Sequence, residues 1–195
     1  MKTERGEYMR IFIGSSSEQH PVAKEIKRDL NDLMRGNPIE IIDWKEWFKQ
    51  GRFNNYSTWE IIQEALDSFD LAIMLFANDD GLSCRDDEYV MTRDNVLIEA
   101  GAFANSLGIE NVFLLVTSNK DYKLPSDFLS LNYIEFDYAR GADNADAYDR
   151  ICEKIYQVLG QNAGRIDPTD PGLIKNKNSK MEAPIRKRKG KGKLL

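Results

Sequence analysis

Leu71-Ala72-Ile73-Met74-Leu75-Phe76-Ala77 is an unbroken apolar run, bounded by Asp70 on one side and by Asn78-Asp79-Asp80-Gly81 on the other. A strand with one wet face alternates apolar and polar residues. A run with no polar residue, too short for a buried helix and ended by a turn signal, is read as a central parallel strand covered on both faces. Upstream, Ser57-Thr58-Trp59-Glu60 is a capping box that opens a helix carrying Ile61, Ile62, Ala65 and Leu66. Before it, Ile39 to Asp43 reads as a second strand. Earlier still, a helix running to about Met34 presents Val22, Ala23, Ile26, Leu30 and Leu33 on one face and stops at Gly36-Asn37-Pro38. Met9-Arg10-Ile11-Phe12-Ile13 is the first strand; it breaks at Gly14 into Ser15-Ser16-Ser17-Glu18, a turn whose serines are expected to cap that helix.

Downstream of the central run the same alternation continues. A helix begins near Asp94, Val112 to Val116 is a fourth strand, Tyr133 to Phe136 a fifth, and an amphipathic helix covers roughly Ala145 to Leu159. Strands separated by helices throughout define an α/β class with a parallel sheet. Right-handed crossovers then favour a doubly wound, five-stranded, flavodoxin-like sheet in the order 2-1-3-4-5. There is no internal repeat.

The 195 residues are enough for one domain with a full core plus an extension, and the 42% hydrophobic and 30% charged fractions are ordinary for a globular protein. Residues 1–8 read as an N-terminal extension, 9–162 as the domain and 163–195 as a disordered basic tail. Residues 1–162 hold 17 Lys and Arg against 29 Asp and Glu; residues 163–195 hold 10 against 3. The tail, with Arg186-Lys187-Arg188-Lys189, suits an acidic surface or nucleic acid, but a solubilising end is preferred and no nucleic-acid partner is expected. No apolar stretch reaches membrane-span length and no secretory leader is visible, so a cytoplasmic protein without a membrane partner is expected. Cys84 and Cys152 are far apart and read as free thiols; the single histidine, His20, reads as a solvated helix-start residue and makes a Ser-His-Asp triad improbable.

In such a sheet, ligands lie beyond the carboxyl ends of the strands, at the switch point between strands one and three. Gly14, Ser15 and Ser16 follow strand one and offer hydroxyls and backbone N–H groups suited to phosphate. After strand two comes a loop with five aromatics, Trp44, Trp47, Phe48, Phe53 and Tyr56, of which core packing should take two or three. The remainder, with Phe48 and Phe53 as candidates, would stack on a purine or pyridinium ring, with Arg52 near phosphates and Gly51 allowing a tight turn. Asp79 and Asn95, flanking the polar loop after strand three, are further candidate binding groups. The acidic cluster Asp79, Asp80, Asp86, Asp87 and Glu88 matches no metal loop, so a solvated face is expected and no metal is assigned.

Glu99 is the lone carboxylate in Val96-Leu97-Ile98-Glu99-Ala100-Gly101-Ala102-Phe103-Ala104. An ionised carboxylate on so apolar a helix is costly unless something offsets it, either hydrogen bonds or a ligand in a cleft. It lies five residues past Asp94, about 7–8 Å along the helix, which keeps it near the same rim.

Ile11-Phe12-Ile13-Gly14-Ser15-Ser16-Ser17-Glu18, the Trp44 loop, Phe69-Asp70-Leu71-Ala72, Asn78-Asp79-Asp80, Arg93-Asp94-Asn95-Val96-Leu97-Ile98-Glu99-Ala100-Gly101 and Lys123-Leu124-Pro125-Ser126-Asp127 together resemble one family over about residues 9 to 138. It comprises the bacterial TIR domains that act as effectors in cyclic-nucleotide antiphage signalling, including those fused to STING. The resemblance implies a flavodoxin-like TIR fold and an NAD+ glycohydrolase that cleaves the nicotinamide–ribose bond and depletes NAD+, with Glu99 as the catalytic glutamate. It implies that Gln50-Gly51-Arg52-Phe53 helps to form the NAD+ site, that no cofactor is required because NAD+ is the substrate, and that TIR–TIR self-association follows recognition of a cyclic nucleotide by a sensor domain or protein. Residues 163–195 are too few for such a sensor domain, so the expectation is an excised piece or a trigger on a separate protein. The alternative is a non-catalytic nucleotide-binding or assembly module. A phosphoacceptor receiver domain is set aside, because acidic residues are missing after strand one.

Overall fold

A computed structural model describes residues 8–84, 87–139 and 143–162. The expectations for residues 1–7, for Asp86 and for the basic tail lie outside the described residues. The elements are β1 (Met9–Gly14), α1 (His20–Leu33), β2 (Ile39–Asp43), α2 (Trp44–Phe48), α3 (Thr58–Ser68), β3 (Leu71–Phe76), β4 (Asp80–Cys84), β5 (Asp87–Met91), α4 (Asp94–Leu107), β6 (Val112–Thr117), β7 (Asn132–Phe136) and α5 (Ala145–Asn162).

The five-stranded sheet has the order β2-β1-β3-β6-β7 and every pairing in it is parallel. With the β4–β5 hairpin left out of the count, this is the doubly wound order 2-1-3-4-5 that the alternating pattern predicts. Register pairs Ile13 with Asp43 and Gly14 with Met74, so the ends of β1, β2 and β3 form one continuous rim. β3 is buried at each of its positions, as its unbroken apolar run requires.

Two apolar layers hold the sheet. Ile11, Ile13, Leu71, Ile73, Leu75 and Leu115 point to the face covered by α1 and α5. Phe12, Ala72, Met74, Phe76, Val112 and Leu114 point to the face covered by α2, α3 and α4. Successive strand residues supply opposite layers, the two-residue period of a strand.

Two local differences from the sequence reading have simple causes. The segment read as a polar loop after β3 contains an antiparallel hairpin, β4–β5, outside the main sheet. Its alternation is short and mostly polar, so periodicity gave no strand signal. Val90 ties the hairpin to the β6–β7 connection: its N–H donates to the Asp121 carbonyl at 3.0 Å and its carbonyl accepts from Lys123 N–H at 2.9 Å. The aromatic loop, in turn, begins with a helical turn, α2. Asp43 caps it, Oδ1 accepting from the N–H groups of Lys45 at 2.9 Å and Glu46 at 3.1 Å.

The same Asp43 oxygen lies 3.1 Å from His20 Nε2, and the His20 ring meets Trp44 edge-on. His20 does start α1, yet it packs against Asp43 and Trp44 instead of standing in solvent. The serine cap is also displaced. The residue capping α1 is Gln19, and Ser16 acts one step earlier, its Oγ accepting from the Gln19 N–H at 3.2 Å. The capping box at Ser57 and Glu60 forms as expected.

Candidate functional site

The rim above β1 and β3 is closed by its own side chains. Ser16 donates to Asp79 Oδ1 at 2.8 Å, joining the ends of the two strands, and the other Asp79 oxygen faces the backbone N–H of Arg93 at the head of α4. Arg93 forks onto Asp80 through Nε and Nη2 at 3.3 and 3.1 Å and reaches Glu18 through Nη1 at 3.2 Å. One guanidinium thus ties the β1–α1 turn, the hairpin and the start of α4 together. Two of the five residues of the acidic cluster, Asp79 and Asp80, are thereby paired, and among the described residues no group of side chains has the makeup of a metal site.

Ser15 and Ser16 are 4% and 2% exposed. Ser15 Oγ donates to the Ser16 carbonyl and accepts from Trp44 Nε1, both at 3.0 Å. Both hydroxyls expected to meet phosphate are therefore engaged inside the protein. Gly14 has a packing reason: a Cβ there would come within 2.7 Å of Met74 Sδ and 3.2 Å of a Phe12 ring carbon.

Of the five loop aromatics, Trp47 and Phe53 are buried and pack with tilted rings, their centroids 5.2 Å apart, and the Trp47 indole N–H donates to the Ile61 carbonyl. Trp44 and Phe48 are half-buried against one another, and Tyr56 is exposed. The Arg52 guanidinium lies over the Trp47 and Phe53 rings, 4.8 and 4.6 Å from their centroids. Two rings go to the core, the lower of the two numbers expected, and Phe53 is one of them. Gly51 is exposed, with nothing within 4 Å of an added Cβ, and Asn95 is exposed in the first turn of α4.

Glu99 stands apart from this internally satisfied set. Val96, Ala100 and Phe103 are the buried face of α4, and Glu99 is half-buried on its flank. Among the described residues no hydrogen-bond donor or cation meets its carboxylate. Burial alone pushes its pKa up, from 4.5 to about 7. A carboxylate poised between its two protonation states and without an internal partner is what the sequence could not establish.

A cleft of about 300 Å³ lies elsewhere, between α1 and the end of β7, lined by Glu25, Arg28, Asp29, Asp137 and Tyr148 among others. None of the predicted residues borders it. Tyr148 donates to Asp29, and Arg28 pairs with the same carboxylate.

A doubly wound five-stranded sheet with a desolvated glutamate on the helix after its central strand defines a TIR-like α/β domain. Residues 10–138 match the family described as "CAP12/Pycsar effector protein, TIR domain", and the chain belongs to it. Similar proteins include the Pycsar effector protein XpPycTIR of Xanthomonas perforans, 32% identical over 159 residues, covering 80% of this chain and 50% of the relative. Two proteins called CD-NTase-associated protein 12 are also similar. The one from a Lachnospiraceae bacterium is 34% identical over 157 residues, covering 78% and 46% of the two chains; the one from Flavobacterium daejeonense is 31% identical over 153 residues, with the same coverage. The chain spans about half the length of these curated relatives. No helix among the described residues is long and apolar enough to cross a membrane.

Proposed function

We propose that this TIR domain is an NAD+ glycohydrolase of antiphage defence, with Glu99 as its catalytic carboxylate. The observation that carries this reading is the half-buried Glu99 carboxylate on α4, which meets no partner among the described residues and whose pKa is lifted by burial to about 7. In the reaction the bond from the ribose C1′ to the nicotinamide nitrogen breaks, and its electron pair goes to that nitrogen and cancels the pyridinium charge. Nicotinamide leaves neutral, so no acid is needed to protonate it. Positive charge develops on the ribose ring, and an ionised carboxylate in a water-poor setting stabilises it far better than one in bulk water. Water then adds to C1′ and gives up a proton, for which a carboxylate titrating near neutrality is a suitable acceptor.

The cationic substrate itself favours the ionised form of Glu99, so binding and activation act together. The family membership supports self-association and a cyclic-nucleotide trigger as the route to activity. The trigger would be sensed outside residues 9–162, either on the same polypeptide or on a partner protein.

The test is release of nicotinamide from NAD+ by concentrated or artificially clustered protein, wild type against Glu99→Gln. Turnover by the wild type that falls by at least 100-fold in Glu99→Gln is expected. Equal turnover in both removes Glu99 from the mechanism, and no turnover by clustered wild type favours the assembly-module alternative.

A further inference from the structure

The cleft of about 300 Å³ beside α1 is the size of a small-molecule site. It lies on the sheet face covered by α1 and α5, whereas Glu99 stands on α4, which covers the other face. Its wall is apolar: Val22 and Ile26 come from α1, and Phe136 ends β7. The Phe136 ring meets Tyr138 and Tyr148 edge-on, with centroids 5.2 and 6.3 Å away. Tyr138 is fixed in turn by its hydroxyl, which donates to the Leu115 carbonyl.

The polar side of the cleft is negative. Glu25 and Asp29 stand one helical turn apart on α1, about 6 Å along its axis, and Asp137 faces the same space from the end of β7. Arg28 is the only cation among the described lining residues; it pairs with Asp29 and its side chain is 67% exposed. Burial, reinforced by the charges of Asp29 and Glu25, pushes the Tyr148 phenol well above its ordinary pKa. Asp137 is set in place by Asn144, whose Oδ1 accepts from the Asp137 N–H and whose Nδ2 donates to the Asp137 carbonyl, both at 2.9 Å. The Asp137 Oδ1 itself accepts from the Ala139 N–H at 2.8 Å. Three carboxylates thus share one guanidinium around an apolar, preorganised recess.

An anion is repelled by that rim, and a hydrated metal ion leaves the apolar wall uncovered. A chain of methylenes carrying ammonium groups satisfies both halves, as a lysine side chain lays its stem on apolar surface and its head on a carboxylate. We propose that this cleft binds a linear aliphatic polyamine, its methylenes against Val22, Ile26 and Phe136 and its ammonium groups on Glu25, Asp29 and Asp137. The inference goes beyond the hydrolase reading and does not rest on it.

Spermidine is the probe, titrated into the protein at fixed ionic strength without NAD+. Calorimetry should show one saturable site with a Kd below about 1 mM. In the wild-type protein, the NMR signals of the Val22 and Ile26 methyls and the Tyr148 ring should shift along the same binding curve. Glu25→Gln should weaken binding by about tenfold, and Asp137→Asn by a similar factor. Asp67→Asn, an exposed change on α3 on the other sheet face, should leave it unaltered. No saturable binding, or shifts that miss the cleft, overturns the assignment. Equal weakening by Asp67→Asn and Glu25→Gln, or equal binding of Mg²⁺, means diffuse attraction to an acidic surface and overturns it too. Tighter binding of arginine methyl ester than of spermidine makes the cleft a receptor for a guanidinium side chain, and the polyamine assignment fails.

Discussion

Ser16 Oγ and Asp79 Oδ1, 63 residues apart in sequence, meet at 2.8 Å and bolt the end of β1 to the end of β3. Together with the Arg93 fork onto Asp80 and Glu18, the bond fixes where α4 begins, and hence where Glu99 stands five residues later. Removing it with Ser16→Ala should cost about 1 kcal/mol and leave Asp79 short of one donor. Asp79→Ala should cost more, about 2 kcal/mol, because the Arg93 N–H also loses its acceptor. Denaturant midpoints check both. If Ser16→Ala instead keeps full stability and raises KM for NAD+, the hydroxyl serves the ligand and not the rim.

Glu99→Gln should stabilise the protein while it abolishes the proposed activity. Folding holds the Glu99 proton to about pH 7 where the unfolded chain releases it near 4.5. The unfolded state therefore gains from ionisation first, and stability attributable to this group is intact below pH 4.5 and is lost as pH rises towards 7. The loss is at most about 3 kcal/mol at pH 8, from 1.36 kcal/mol per pKa unit. Urea unfolding at pH 4.5 and pH 8 should show wild type and Glu99→Gln close together at the lower pH and apart at the higher. A constant gap contradicts the raised pKa.

Gly14→Ala places a methyl group against the Met74 sulfur in a close-packed layer, which should cost about 1–3 kcal/mol. The obstacle is the end of a flexible side chain, so Met74→Ala in the Gly14→Ala background should recover part of the loss beyond additivity. A double-mutant cycle in thermal melts measures it. Strict additivity means that Gly14 is needed for some other reason.

Phe53→Ala and Gly51→Asp separate packing from ligand contact in the aromatic loop. Phe53 is buried against Trp47, and its truncation should cost about 3–5 kcal/mol, visible in the melting temperature before any change in NAD+ affinity. Gly51 is exposed with open space around it, so Gly51→Asp should leave circular dichroism and the melt unchanged while impairing assembly or substrate binding. A Gly51→Asp protein that unfolds early would make the loop tip part of the core.

The β-strand run at Leu71 and the spacing of strands and helices around it were sufficient for the fold class and strand order, because burial on both sheet faces and alternation of elements are local patterns. Glu99 was legible for the same reason: one carboxylate among apolar residues is visible at the level of sequence. The β4–β5 hairpin was not, since its strands are short, polar and held by a backbone exchange with Asp121 and Lys123 from a distant connection.

What sequence alone determined, then, is the sheet, its two apolar layers and the oddity of Glu99, all of which depend on residues close together in the chain. Only the tertiary structure decided which polar and aromatic groups remain available. It turned Ser15, Ser16 and Phe53 inward and gave Trp44, Asp79 and Trp47 to them as partners, while among the described residues it left the Glu99 carboxylate without one. Hydrogen bonds such as Trp44 to Ser15 and Ser16 to Asp79, made across tens of residues, leave no periodic trace in a sequence, so whether a side chain is satisfied is settled only when the chain has folded.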